Sequence, residues 1–108
     1  MENQFQFDLE RYISREKFTR IKKFAEDKDT PFLVIDLKKV EQKYDELLNT
    51  LPFAKIYYAV KANPHEAVIR MLVKKGSSFD IASVYELDHI LALGAAPEKI
   101  SYGNTIKK

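Results

Sequence analysis

Short apolar segments alternate with helical patterns through the second half of this 108-residue chain. The apolar segments are 55–60, 78–81 and 99–102. Each is rich in β-branched or aromatic residues, which is typical of strands. Between them, apolar residues recur at helical spacing, and the two patterns end at Gly76 and Gly94. Because strands joined by helical crossovers pair in parallel, the alternation predicts an α/β fold with a parallel sheet.

The polar residues that end these strands favour a barrel. Lys61, Asp80 and Asn104 occupy the C-terminal tips of the predicted strands, where a (β/α)8 TIM barrel carries its active site. A doubly wound sheet is the alternative, but no glycine-rich phosphate loop follows the first strand. A complete barrel needs about 250 residues, and three parallel strands leave unpaired apolar edges. We therefore expect the opening part of a longer enzyme, or a truncated product.

The chain divides into three expected segments. Residues 1–30 form an N-terminal arm and a helix, residues 31–54 a strand and a helix that lead into the barrel, and residues 55–108 the first βα units. Ser14 is the expected N-cap of the first helix and Asp36 that of the second. The strand before Asp36 is predicted at Phe32–Ile35.

Composition excludes several classes of function. The chain has no cysteine, which removes disulfides, thiolate metal sites and a cysteine nucleophile from these residues. Its 18 basic and 16 acidic residues are too evenly balanced to indicate a nucleic acid or an anionic membrane as partner. No apolar run approaches the roughly 18 residues of a membrane span, and no signal pattern opens the chain, so a cytoplasmic protein is expected. His65 and His89 lie far apart, and no metal site is predicted.

Lys61 is the foremost candidate for chemistry. It follows an apolar strand, and Asn63 and Pro64, which come after it, are typical of the start of a helix. Because side chains alternate along a strand, Lys61 and Ala59 would point together into the barrel mouth. A lysine walled by apolar groups can lose its proton and attack an aldehyde. The alternative is an ordinary solvated lysine just past a strand.

Two acidic residues belong to the next unit. Asp80 would point inward between two outward hydrophobic residues, where a carboxylate needs a partner, and Lys61 is the nearest cation. A purely structural role for Asp80, in a loop cap or ion pair, stays open. Glu86 lies three residues after Ser83, and the pair forms a capping box that explains Glu86 without any role in a site.

Four blocks of sequence carry a family resemblance. They are Tyr58–Pro64, Phe79–Ser83, Glu86–Leu87 and Ser101–Thr105. In this order and spacing the chain resembles, over residues 30–108, the fold-type III pyridoxal-phosphate decarboxylases of ornithine, lysine/ornithine, arginine and diaminopimelate. The first block is also similar to one in alanine racemases. The resemblance implies the N-terminal part of an alanine-racemase-like TIM barrel, preceded by a strand of a separate β-domain.

The resemblance also implies a cofactor and roles for four residues. Lys61 would form the Schiff base with pyridoxal 5'-phosphate, and Asp80 would lie close to this lysine. Glu86 would be an acidic residue near the cofactor, and Ala59 the small residue against its ring. The implied activity is decarboxylation of a basic amino acid, ornithine to putrescine and CO2 in polyamine biosynthesis, by a homodimer. The 108 residues alone are expected to be inactive, because the family's other active-site elements are not among them.

Two other functions remain open at this point. The chain could be a non-catalytic truncated remnant that binds or regulates intact subunits. It could instead belong to a diaminopimelate decarboxylase or a racemase-like protein with the same cofactor. Val84–Tyr85 stands where the diaminopimelate branch usually has paired glycines, which favours the ornithine branch.

Overall fold

The computed structural model describes residues 9–103, which contain four α-helices and three strands. In chain order these are α1 Arg15–Ala25, α2 Leu37–Thr50, β1 Tyr57–Ala59, α3 Glu66–Lys75, β2 Ser78–Ile81, α4 Val84–Ala92 and β3 Ile100–Tyr102. Short 3-10 turns cover Leu9–Arg11, Val60–Ala62 and Pro97–Lys99. The chain forms two compact units, residues 1–35 and 36–108. No helix of the described part is long and apolar enough to cross a membrane.

The first unit contains α1. Ser14 caps this helix as predicted, because its Oγ accepts a hydrogen bond from the Lys17 amide at 3.1 Å. The strand predicted at Phe32–Ile35 is absent. These residues are irregular and exposed, and the sheet of the described residues does not include them. Apolar, β-branched composition does not make a strand without a neighbour to complete its hydrogen bonds, and the separate β-domain in which this strand was expected to pair is not among the described residues.

The second unit is built on a parallel sheet in the order β1-β2-β3. Its register places Ala59 beside Asp80, and Asp80 beside Ser101. Tyr58, Phe79 and Ile100 form the adjacent row, whose side chains lie on the opposite face because side chains alternate along each strand. The sequence-predicted parallel arrangement of these three strands is confirmed.

Helices α2, α3 and α4 of the second unit form the core together with this sheet. Phe79 and Ile81 of β2 are 1% and 2% exposed, which confirms that they pack outward against the helices. The rest of the buried core is contributed by Tyr44, Val60, Val68, Ile69, Leu72, Ile90 and Ala95. Ala59 and Asp80 lie on the opposite face of the sheet.

The ends of the helices follow local sequence signals, with one correction. Gly76 ends α3 in the left-handed conformation with φ of +84°, as its position predicted. The start of α3 is two residues later than expected, because His65 rather than Asn63 is its N-cap. Asn63 instead accepts a hydrogen bond from the His65 amide at 3.0 Å, and His65 Nδ1 accepts one from the Ala67 amide at 3.1 Å. An Asx-type turn therefore precedes the helix.

We expect Ile69→Ala to lower the free energy of unfolding by about 2 to 5 kcal/mol, because Ile69 is fully buried and its removal leaves a cavity. Denaturant unfolding of the protein measures this change. Lys74→Ala is the matched control on the same helix, where the exposed side chain should cost less than about 0.5 kcal/mol. Equal effects at the two positions would contradict the assigned core.

Candidate functional site

A small cleft lies at the carboxyl end of the parallel sheet. It is lined by Ala59, Lys61, Asp80, Ile81, Ala82, Glu86 and Gly103. The structure thus brings together all four residues that the sequence nominated, from two strands, a turn and the first turn of α4. The volume of the cleft is about 30 Å³, room for a water molecule or two. Asn104, the third predicted strand-end residue, lies outside the described residues.

Lys61 is presented by a 3-10 turn rather than by the strand itself. β1 ends at Ala59, and the turn Val60–Ala62 follows directly. Val60 is fully buried and anchors this turn, while the side chain of Lys61 is exposed. Within residues 9–103, the side chain of Lys61 makes no hydrogen bond and no ion pair. Its amine is therefore available to a ligand.

Asp80 lies on the same side of the sheet as Ala59, its neighbour in the register. The expected ion pair between Asp80 and Lys61 is not formed among the described residues, although both line the cleft. Asp80 is only half-buried, so its carboxylate stays partly hydrated and needs no cation to compensate it. The two groups therefore face the cleft separately, and both can contact a third molecule.

Gly103 is a site residue that the sequence reasoning missed. A Cβ atom at this position would overlap the carboxylate of Asp80, so only glycine allows the carboxylate its place. The Gly103 amide donates a hydrogen bond to the Ile81 carbonyl at 3.0 Å, which holds the chain after β3 beside β2. In the sequence, Gly103 was noted only as part of the Ser101–Thr105 block of the family resemblance. Its spatial proximity to Asp80 follows only from the register of β2 and β3.

Glu86 has one carboxylate oxygen engaged and one without a partner. Oε2 accepts hydrogen bonds from the Ser83 hydroxyl at 2.9 Å and the Ala82 amide at 3.2 Å. The Glu86 amide donates a hydrogen bond to Ser83 Oγ at 3.2 Å, which is one half of the predicted capping box. In the other half, the Glu86 carboxylate accepts from the Ala82 amide instead of the expected Ser83 amide. Oε1 is buried and has no hydrogen-bond partner within residues 9–103. A buried acceptor of this kind is costly and calls for a donor.

Sequence comparison identifies the family. Residues 37–108 match the family described as pyridoxal-dependent decarboxylase, pyridoxal binding domain. Among curated relatives, the chloroplastic ornithine decarboxylase of Nicotiana glutinosa is 39% identical over 82 residues, which is 76% of this chain and 19% of that protein. The lysine/ornithine decarboxylase of Selenomonas ruminantium is 39% identical over 87 residues, 81% of this chain and 22% of that protein. Antizyme inhibitor 2 of Xenopus laevis is 40% identical over 84 residues, 78% of this chain and 18% of that protein.

Solved structures agree with this assignment. The lysine decarboxylase from Selenomonas ruminantium superposes with a TM-score of 0.77 at 34% identity, over all of this chain and 27% of that one. A complex of SrLDC with PLP and cadaverine gives the same TM-score and identity over all of this chain and 26% of that one. The Vibrio vulnificus lysine/ornithine decarboxylase complexed with putrescine gives 0.80 at 31% identity, over 89% of this chain and 26% of that one.

The chain therefore belongs to the pyridoxal-dependent decarboxylases, and its residues 37–108 match their pyridoxal-binding domain. Its fold is the N-terminal part of the alanine-racemase-like TIM barrel of that family, and the cofactor of the family is pyridoxal 5'-phosphate. The chain spans about a fifth of the length of the curated relatives it matches.

We expect Gly103→Ala to push the Asp80 carboxylate out of its rotamer and to lower the free energy of unfolding by about 1 kcal/mol. In an Asp80→Ala background the overlap is gone, so the same change should cost close to nothing. A double-mutant cycle on the free energy of unfolding measures the difference. Additive effects of the two substitutions would show that Gly103 does not make room for Asp80.

Proposed function

We propose that this chain provides the cofactor lysine, Lys61, of a decarboxylase that converts ornithine to putrescine and CO2. The observation that carries the proposal is the free amine of Lys61 at the carboxyl end of a parallel sheet, in a cleft shared with Asp80 and Glu86. Three further expectations from the sequence stay predictions. They are the domain division at residues 30 and 54, the homodimer and the cytoplasmic location.

The residues of the cleft fit pyridoxal 5'-phosphate in their chemistry. An amine without a competing partner can condense with the aldehyde of the cofactor, with loss of water. Ala59 presents only a methyl group beside Asp80, which leaves space for a flat ring against the sheet. The buried, unpartnered Oε1 of Glu86 offers an acceptor to a donor that the described residues lack. The cleft has a volume of about 30 Å³, which is far smaller than a pocket that encloses a ligand. The residues of the cleft would therefore form only one wall of the cofactor site.

The cofactor, when bound, supplies an electron sink for the pair released as the α-carboxylate leaves as CO2. The contribution of this chain is orientation and charge. Lys61, in the turn that follows β1, would hold the cofactor through its side-chain amine. Asp80 would contribute a negative charge to the same cleft, where its carboxylate can accept hydrogen bonds from a protonated nitrogen of the ligand. Glu86 accepts hydrogen bonds from the Ala82 amide and the Ser83 hydroxyl, and these bonds fix the backbone at this edge of the cleft.

Ornithine is proposed as the substrate because relatives of this chain are named for it. They include ornithine decarboxylases of Nicotiana glutinosa and Saccharomyces cerevisiae, and a lysine/ornithine decarboxylase of Selenomonas ruminantium. Solved neighbours are complexed with the diamines putrescine and cadaverine. In the reaction, the bond between the α-carbon and the carboxylate breaks, and the α-carbon gains a proton, which yields putrescine.

A non-catalytic role is the second candidate. It is favoured by the 40% identity to a protein named antizyme inhibitor 2, a name that describes inhibition rather than catalysis. In such a role the fold would be retained without turnover of an amino acid. Release of CO2 by the purified protein separates the two candidates.

We expect Lys61→Ala to abolish CO2 release from carboxyl-labelled ornithine by the protein as its cell of origin makes it. No other lysine of the described residues lines the cleft, so none can replace its amine. Lys55→Ala, which changes an exposed lysine just before β1, is the matched control and should keep full activity. Activity above a trace in Lys61→Ala would overturn the assignment of the cofactor lysine.

We also expect carboxyl-labelled ornithine to release CO2 with a higher kcat/KM than lysine or diaminopimelate, with putrescine as the amine product. Chromatography of the amines identifies the product. Faster release of CO2 from diaminopimelate would contradict this prediction and assign the protein to the diaminopimelate branch of the family. Absence of CO2 from all three substrates, with cofactor supplied, would favour the non-catalytic role.

A further inference from the structure

The loop that follows the Lys61 turn is held at two consecutive carbonyl groups. Residues 63–65 belong to no helix or strand. The Asn63 carbonyl accepts a hydrogen bond from the Tyr58 hydroxyl at 2.8 Å. The Pro64 carbonyl lies 2.7 Å from His89 Nε2. A carbonyl oxygen can only accept, so Nε2 of His89 carries the proton and donates it.

Tyr58 is itself held in place. Its ring meets the ring of Phe79 edge-on, with the centroids 6.5 Å apart and the planes at 89°. Phe79 is 1% exposed, so the phenol is anchored to the core of the domain. Burial raises the pKa of the Tyr58 hydroxyl above its usual value. The hydroxyl therefore keeps its proton, and continues to donate, throughout the neutral pH range.

His89 connects the same loop to the other side of the cleft. It lies on α4, three residues after Glu86 and therefore nearly one helical turn beyond it. Glu86 fixes the first turn of α4 through Ala82 and Ser83. The bond from His89 to Pro64 thus joins the element that supplies Glu86 to the segment that follows Lys61. From the sequence alone, His89 was considered only as a possible metal ligand, and that role was rejected.

We propose that Tyr58 and His89 are positioning residues that fix the backbone on the C-terminal side of Lys61 and so hold its amine ready for the cofactor. The proposal rests on the assignment of Lys61 under the proposed function. On the N-terminal side of Lys61, the fully buried Val60 already fixes the chain. Without the two side-chain bonds, the loop would have to be ordered when the cofactor binds, and that ordering would weaken binding.

The test measures binding of pyridoxal 5'-phosphate rather than turnover. For Tyr58→Phe and His89→Leu, the dissociation constant is obtained by absorbance titration, and Lys61 occupancy by mass spectrometry after borohydride reduction at limiting cofactor. Each variant is expected to bind about three- to tenfold more weakly, the effect of losing one hydrogen bond. Tyr58→Phe keeps the ring and its contact with Phe79, so this variant retains the fold.

Two further variants separate positioning from general destabilisation. His89→Gln carries an amide that can donate to the Pro64 carbonyl, and it should restore most of the affinity lost in His89→Leu. Tyr85→Phe removes a phenol on the same helix that is 86% exposed, and it should bind as the unaltered protein does. A purely structural role of Tyr58 and His89 would lower the free energy of unfolding and leave the dissociation constant of the folded protein unchanged.

The outcomes distinguish this inference from the proposed function. Unchanged affinity in both Tyr58→Phe and His89→Leu, with the unaltered protein labelled at Lys61, would overturn the positioning role and leave the cofactor lysine assigned. Failure of His89→Gln to restore binding would remove His89 from the proposal. Absence of label at Lys61 in the unaltered protein would overturn the proposed function and the positioning role together.

Discussion

The parallel register of β1, β2 and β3 is the constraint on which the rest of the site depends. Phe79 and Ile81 are buried against the helices, and the alternation of a strand then forces Asp80 to the opposite face. Pairing places Ala59 on one side of Asp80 and Ser101 on the other. A shift by one residue would bury the carboxylate and expose two large apolar side chains. The packing of the core therefore also specifies which side chains meet at the cleft.

Charge and space in the cleft are arranged around an amine without a partner. Lys61 is exposed and unpaired within the described part of the chain, while Asp80 and Glu86 supply two carboxylates nearby. Gly103 leaves room for one of these carboxylates, and the Ala82 and Ser83 donors hold the other. Under the proposed function, such an arrangement would present a nucleophile and fixed charges to a ligand. In a pyridoxal enzyme this is the contribution of the protein, since the cofactor supplies the electron sink.

Much of this fold was accessible from the sequence because its signals are local. Helix caps at Ser14 and Asp36, the glycine at Gly76 and the alternation in β2 each depend on a few neighbouring residues. Phe32–Ile35 shows the limit of such reasoning, because a strand exists only where a second strand completes its hydrogen bonds.

The candidate site shows the same division between local and distant signals. Motif spacing and family resemblance nominated Lys61, Asp80, Glu86 and Ala59, and the structure places all four in one cleft. Gly103 and His89 could not be nominated. Their partners, Asp80 and Pro64, are more than twenty residues away in sequence, and no periodic pattern connects them. Contacts of that kind follow from the tertiary fold alone.

The central claim is that Lys61 carries the cofactor. Its most direct test is peptide mapping of the protein purified from its own cells and reduced with borohydride, which makes any bond between lysine and pyridoxal phosphate permanent. We expect the pyridoxyl phosphate group on the peptide that contains Lys61, and on no other peptide. A label on a different lysine, or an entirely unmodified chain from cells supplied with the cofactor, would contradict the account.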